Sequence, residues 1–183
     1  MRKIEQHPFG NFVCPDSEIL IIGSFPCFNG VDYGDWFYSG SGKSEFWKLL
    51  SEIYQLSVDN QEQKMELCLK NKIAITDIAH TIERTKGNCK DSNLKIIDYN
   101  ITGIEKCLTT RISKILFTSK FVEKHFNKIF PLNNIPSFVL VSPSPSSRLY
   151  IAGLDDYKSM IKNKEITSTY EYRLVIYKRL LQP

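Results

Sequence analysis

Four short, mostly apolar segments occur at wide intervals along the chain. They lie at residues 18–23, 72–77, 113–118 and 137–142, and small or polar residues follow each of them. Continuous apolar character, rather than alternation, is typical of strands in a parallel sheet that is covered on both faces. The pattern therefore predicts a central, mainly parallel sheet of four strands.

Apolar residues between these runs recur at helical spacing. In residues 44–54, Phe46, Leu50 and Ile53 fall on one stripe, and Ser44 is a residue type that often caps a helix. The other predicted helices lie at residues 61–70, 101–108, 119–130, 155–163 and 168–181. Because strands that alternate with helices favour right-handed crossovers, the sequence predicts one α/β domain over residues 1–183, a three-layer α/β/α sandwich.

The composition is that of an ordinary globular protein. Its 183 residues suffice for one hydrophobic core, and the apolar and charged fractions of 42% and 24% are near globular averages. No apolar run approaches the roughly 20 residues of a membrane span, and no apolar segment typical of a secretory signal follows the charged N-terminus. We therefore expect a cytoplasmic protein with no membrane partner. The net charge of +4 permits a nucleic-acid partner without requiring one.

The five cysteines are scattered along the chain, at Cys14, Cys27, Cys68, Cys89 and Cys107. Their number is odd and none is spaced as C-x-x-C, which argues against a disulfide framework and against a closed zinc or iron–sulfur site. We expect reduced, mostly packed thiols, and neither a metal nor another cofactor.

Small and polar residues stand at the carboxyl end of every predicted strand. The segments that follow the strands begin at Gly23, Asp77, Ser119 and Pro143. Ligands of open α/β sheets bind outside the carboxyl ends of the strands. These four segments are therefore expected to build one continuous site.

Five segments, taken in order, resemble those of the uracil-DNA glycosylase superfamily. Residues 23–27 (GSFPC) resemble the G-S-M-P-S motif of its hypoxanthine branch, and residues 37–47 (FYSGSGKSEFW) resemble F-Y-Y-G-H-P-x-N-R-F-W. Residues 76–94 resemble W-D-V-I … E-R … D-S-x-I, and residues 115–120 resemble the segment of the third strand. Residues 142–147 (SPSPSS), here called the serine-proline loop, are similar to H-P-S-P-L-S of the classical enzymes. The hypoxanthine and mismatch-specific branches are the most similar in these motifs.

Several polar side chains of the family are replaced in this sequence. Phe25 stands where the classical enzymes have a water-activating aspartate and the mismatch branch an asparagine. Ser44 stands at the asparagine of the hypoxanthine branch, and Ser41 at its histidine. Ser142 stands at the catalytic histidine of the classical loop.

The resemblance implies an enzyme that flips a base out of DNA and hydrolyses its N-glycosidic bond. Asp77 is the candidate to position water, and Ser44 and Ser24 are candidates to orient the water or the base edge. The candidates for binding the flipped base are Phe25, Pro26, Phe37, Tyr38 and His80. The candidates for DNA binding are Lys120, Ser142, Pro143, Ser144, Ser146, Ser147 and Arg148.

The sequence leaves three hypotheses of function open. The leading one is a monomeric, monofunctional glycosylase that acts on DNA containing a damaged or mismatched base, such as uracil or hypoxanthine. No lysine is expected in the pocket, so base removal without Schiff-base strand cleavage is predicted. The serine replacements motivate a second hypothesis, a non-catalytic nucleic-acid-binding member of the fold. The same cleft motivates a third, a hydrolase of free nucleosides or nucleotides. Leu149 and Tyr150 are candidates to fill the gap that a flipped base leaves.

Overall fold

The computed structural model describes residues 3–109 and 111–182. Within these residues the strands are β1 (Lys3–Gln6), β2 (Ile19–Gly23), β3 (Ile73–Asp77), β4 (Ala79–Arg84), β5 (Leu94–Tyr99), β6 (Lys114–Phe117) and β7 (Ser137–Val139). The helices are α1 (Phe46–Tyr54), α2 (Gln61–Lys70), α3 (Ile101–Cys107), α4 (Lys120–Ile129), α5 (Arg148–Gly153), α6 (Asp155–Lys162) and α7 (Thr169–Leu181).

The central sheet consists of four parallel strands in the order β3-β2-β6-β7. Leu20 and Ile22 of β2 point to one face, whereas Ile21 points to the other, and all three are fully buried. A strand with both faces covered needs apolar residues at every position, which explains the continuous apolar runs. The predicted parallel sheet is confirmed, although its last strand ends at Val139 and is shorter than expected.

Helices cover the central sheet on both sides. The core on one face includes side chains of α1, α2 and α7, and the core on the other face includes side chains of α3 and α4. The three-layer α/β/α architecture is therefore confirmed. A smaller cluster joins α5, α6 and α7. No helix in the described part of the chain is both long and apolar enough to cross a membrane.

A second sheet, which the sequence pattern did not predict, lies beside the first. Its antiparallel strands have the order β1-β4-β5. Exposed and buried positions mix within these strands, and β1 has four residues, so the apolar signal of each strand is weak. Helix α5 was also missed, and helix α1 begins at Phe46 with Glu45, not Ser44, at its N-cap.

A buried ion pair fastens β1 to β4. The Glu5 carboxylate accepts hydrogen bonds from Arg84 Nε at 2.9 Å and from Arg84 Nη2 at 3.1 Å. The Tyr33 hydroxyl donates to the same carboxylate at 2.9 Å. Arg84 also donates to the carbonyl oxygens of Pro26 and Asn88. The Arg84 guanidinium thus connects the N-terminal strand to the loop after β2 and to the loop between β4 and β5.

This pair makes stability depend on pH. Burial alone raises the pKa of Glu5, but the hydrogen bonds from Arg84 and Tyr33 outweigh it and hold the pKa below its ordinary value of 4.5. A carboxyl with a depressed pKa contributes stability above the ordinary value and loses it as the pH falls. Glu5→Gln, which leaves a buried guanidinium without its counter-charge, should lower the free energy of unfolding by about 3 kcal/mol at pH 7.

Urea denaturation of both proteins at pH 7 and pH 3 measures this effect. The difference between wild type and Glu5→Gln should shrink at the lower pH, because the unfolded chain, in which the pKa of Glu5 is not depressed, gains the proton first. Glu66→Gln is the control, because Glu66 pairs with Lys70 on the exposed side of α2 and should change stability little. An equal difference between wild type and Glu5→Gln at both pH values would contradict the prediction.

Candidate functional site

A cavity of about 320 Å³ opens at the carboxyl ends of β2, β3 and β6. Phe25, which follows β2, Asp77, which ends β3, and Ser144 of the serine-proline loop all line it. Open α/β sheets bind their ligands at this edge. The expectation that the strand-end segments meet in one site is therefore met by the geometry.

The cavity brings together most of the residues that the sequence singled out. Those that line it are Ser24, Phe25, Pro26, Tyr38, Ser44, Asp77, Ser142, Pro143, Ser144 and Ser146. They come from the loop after β2, the segment before α1, the end of β3 and the serine-proline loop. Hydroxyl groups therefore dominate its polar surface, with one deep carboxylate and two aromatic rings.

Two candidates for base binding lie away from the cavity. Phe37 is 1% exposed and packs in the core against Trp36 and Phe9, so its ring is not available for stacking on a base. His80 projects outward from β4, and its Nδ1 lies 3.4 Å from Asp98 Oδ2. The structure does not support a base-binding role for either residue.

Three candidates for DNA binding also lie outside the cavity lining. Lys120 and Arg148 are exposed first residues of α4 and α5, and Arg148 Nη2 lies 3.3 Å from Glu45 Oε1. The Ser147 hydroxyl donates to the carbonyl oxygens of Ser142 and Ser144, so this side chain braces the serine-proline loop.

Sequence reasoning missed part of the cavity wall. The additional lining residues are Cys27, Ser41, Cys89, Lys90, Asp91, Ser92, Thr118 and Ser119. The expectation that no lysine lies in the pocket is therefore wrong, because Lys90 is part of the wall. Asp91 supplies a second carboxylate, which accepts a hydrogen bond from the Ser119 hydroxyl at 2.6 Å. Asp91 begins the segment that resembles D-S-x-I, so the sequence did single out this segment. It did not predict that Asp91 lines the cavity, because Asp91 is far in sequence from the strand ends.

Asp77 is 3% exposed, and its two carboxylate oxygens have different surroundings. His7 Nε2 lies 2.9 Å from Asp77 Oδ2. On the other side, a Cβ on Gly23 would overlap Asp77 Oδ1 and the Tyr38 hydroxyl. Only glycine at position 23 leaves room for these two groups.

Tyr38 presents a buried hydroxyl near this carboxylate. Its ring stacks on Phe46 with centroids 4.0 Å apart, and within the described residues its Oη has no hydrogen-bond partner of good geometry. Burial, and then the negative charge of Asp77, raise the pKa of Tyr38 well above its usual value. The hydroxyl therefore stays protonated at neutral pH and has a hydrogen bond to donate.

Arg173 of α7 donates hydrogen bonds to the serine-proline loop. Its side chain is fully buried and donates to the carbonyl oxygens of Ser142 at 2.8 Å and Ser144 at 3.1 Å. It also donates to Ser147 Oγ at 2.9 Å and to Glu45 Oε2 at 2.6 Å. These hydrogen bonds fix the shape of the loop. Leu149 and Tyr150, which follow the loop, project outward and are 89% and 59% exposed.

A disulfide between Cys27 and Cys89 joins two parts of the cavity wall, with Cα atoms 5.2 Å apart. It links the loop after β2 to the loop between β4 and β5. The expectation that all thiols are reduced is wrong for this pair. It was based on sequence spacing, which does not reveal that residues 62 positions apart meet. Cys68 and Cys107 are free and buried, as expected.

Comparisons with known proteins agree with this fold. A family model described as "Uracil DNA glycosylase superfamily" matches residues 11–166. The solution NMR structure of a protein from Methanosarcina acetivorans, described as a candidate uracil DNA glycosylase, superposes with a TM-score of 0.65. The match covers 97% of this chain and 99% of that chain at 18% identity, which shows a shared fold. A search of curated proteins gives no significant match.

Removing the Cys27–Cys89 disulfide should destabilise the protein. A cross-link across 62 residues restricts the unfolded chain and contributes about 4 kcal/mol by loop entropy. Urea denaturation of the Cys27→Ser/Cys89→Ser double variant, compared with the oxidised wild type, measures the loss, and Cys14→Ser is the control because Cys14 is a free thiol. Titration of five free thiols in the unfolded, unreduced protein would contradict the disulfide.

Proposed function

Because this chain belongs to the uracil DNA glycosylase superfamily, we propose that it is a monofunctional DNA glycosylase that removes a deaminated base, uracil or hypoxanthine. The observation that carries this proposal is the single cavity at the sheet edge. There Phe25, Asp77 and Ser144 face the same space, although they follow different strands. Such a reaction needs a surface on which the base stacks, a carboxylate, and a loop that binds DNA.

The cavity suits a base that has left the duplex. Its volume of about 320 Å³ lies at the lower end of the range for small-molecule sites. Flipping costs a few kcal/mol and costs least for a mismatched or damaged base. Phe25 would offset part of this cost by stacking, since each stacked base contributes about 1–3 kcal/mol. Its ring is braced at the edges by His7 and Tyr33.

In the proposed reaction, Asp77 takes a proton from a water molecule as the water oxygen bonds to C1′ of the sugar. The bond between C1′ and the base nitrogen breaks, and its electron pair leaves with the base. Hydrogen-bond donors aimed at the leaving base stabilise the charge that develops there. The protonated Tyr38 hydroxyl, with the hydroxyls of Ser24 and Ser44, supplies such donors at the cavity.

The serine-proline loop and the residues after it would contact the DNA backbone. Hydroxyl and amide groups of such a loop can bind the phosphates on either side of a flipped nucleotide. Lys120 and Arg148 carry exposed positive charge next to the cavity loops. Leu149 projects outward, in a position to fill the gap in the base stack.

Single-turnover assays on duplexes that carry uracil, hypoxanthine, xanthine or mismatched thymine test the reaction. Wild-type protein should produce alkali-labile sites on at least one of the first two substrates. Asp77→Asn should slow base release by about 10²–10⁴-fold, because a positioned general base contributes that much. Asp98→Asn is the matched control, since Asp98 lies on the exposed strand β5, beside His80. A normal rate in Asp77→Asn would refute the role of Asp77.

The other two hypotheses predict different results in the same experiment. Salt-sensitive DNA binding without release of any base would favour a non-catalytic binding protein. Release of bases from free nucleosides, but not from DNA, would favour a nucleoside hydrolase.

The proposed backbone contacts predict a uniform loss of affinity. Lys120→Ala or Arg148→Ala should weaken binding equally on all sequences and reduce the slope of log K against log salt by about 0.9 for each phosphate contact removed. Fluorescence anisotropy at several salt concentrations measures both quantities. Lys70→Ala is the control, because Lys70 pairs with Glu66 on α2. Loss of affinity on one sequence alone would contradict a backbone contact.

A further inference from the structure

The N-terminal segment contributes a histidine to the deep end of the cavity. We propose that His7 is a positioning residue that fixes the Asp77 carboxylate for attack by water; this inference rests on the proposed function. His7 lies outside residues 11–166, which the family model matches. It is 70 positions from Asp77 in sequence, and the pairing of β1 with β4 brings the two together.

The strand register explains how this contact forms. Gln6 pairs with Thr81, and the backbone N–H of His7 donates to the His80 carbonyl oxygen at 2.8 Å. One residue, Ile78, separates the end of β3 from the start of β4. A residue that continues β1 opposite the start of β4 therefore arrives beside the end of β3, where Asp77 stands.

The surroundings of the imidazole fix its tautomer. His7 Nδ1 accepts hydrogen bonds from the backbone N–H groups of Phe9 and Gly10, both at 3.2 Å. A nitrogen that accepts two hydrogen bonds carries no proton, so the ring proton of a neutral His7 lies on Nε2. Nε2–H then donates to Asp77 Oδ2. The turn after β1 thus decides which nitrogen faces the carboxylate.

The contact is also closed to water. The His7 side chain is 2% exposed, and the rings of Phe9, Phe25 and Phe37 surround it. If the imidazole donor were lost, water could not easily take its place, and the carboxylate would be free to rotate. With Oδ2 bound by His7, Oδ1 remains the oxygen that accepts the proton of the attacking water. Orientation of this kind has large effects on rate, because a misplacement of 1 Å can cost about 100-fold.

Two amide substitutions separate this role from a structural one. In His7→Asn the amide lies near the position of Nδ1, so it can keep the contacts to the turn while leaving Asp77 without a donor. In His7→Gln the amide reaches the position of Nε2, so it can donate to Asp77 while giving up the turn contacts. We expect His7→Asn to lower the single-turnover rate by about 10- to 100-fold, with the Kd for DNA unchanged, and His7→Gln to stay close to the wild-type rate.

A double variant tests whether His7 acts through Asp77. His7→Asn/Asp77→Asn should be no slower than Asp77→Asn alone, because two residues that act as a unit are not additive. Additive losses would overturn the inference, and so would a normal rate in His7→Asn or a loss in both single variants that follows their melting temperatures. A wild-type protein that releases no base would instead overturn the proposed function, and this inference with it.

Nitrogen-15 NMR of the wild-type histidine rings provides a check that needs no variant. In the neutral form of His7 the ring proton should lie on Nε2, and Asp77→Asn should shift the Nε2 resonance. A proton on Nδ1 of His7 would overturn the inference even if His7→Asn failed to fold.

Discussion

The parallel pairing of β2 with β3 places Gly23 directly opposite Asp77, and the deep end of the cavity depends on this contact. The space that a side chain at position 23 would fill is occupied by Asp77 Oδ1 and the Tyr38 hydroxyl. A shift of one residue in the register would turn Asp77 to the opposite face of the sheet. The position of the carboxylate is therefore a consequence of the register in which β2 and β3 pair.

Two buried guanidinium groups extend this order from the sheet to the loops around the cavity. Arg84 donates to the Pro26 and Asn88 carbonyl oxygens, and Arg173 donates to those of Ser142 and Ser144. Burying a charge is costly, and an ion pair often recovers no more than that cost. In this fold the buried guanidinium groups fix the geometry of loops, because each one binds carbonyl oxygens that lie outside the sheets. The cavity is thus formed before any ligand arrives, which reduces the entropic cost of binding.

The sequence allowed prediction of the central sheet and of the strand-end segments, because both depend on local patterns. It did not reveal contacts between residues far apart in sequence, such as His7 with Asp77, Arg173 with the serine-proline loop and Cys27 with Cys89. The sequence also did not show that two adjacent aromatic residues face different surroundings. Phe37 and Tyr38 are neighbours, but Tyr38 has a φ of 61°, and this left-handed turn sends Phe37 into the core while Tyr38 faces the cavity. No spacing rule separates two adjacent aromatic residues in this way.

The two carboxylates of the cavity differ in environment, and the difference favours Asp77 for the proposed chemistry. Asp91 is half-buried beside the exposed Lys90 and accepts a hydrogen bond from the Ser119 hydroxyl. Asp77 lies deeper, and its donor is a ring held by backbone contacts and aromatic packing. A base that acts on water must keep its geometry while DNA approaches, and a carboxylate whose donor is itself buried and packed is better suited to this. Phe25 stands where the classical enzymes have an aspartate, and in this chain the deep carboxylate of the cavity is that of Asp77 at the end of β3. The proposed reaction uses a carboxylate at the cavity, and strands that end at the same sheet edge can each supply one.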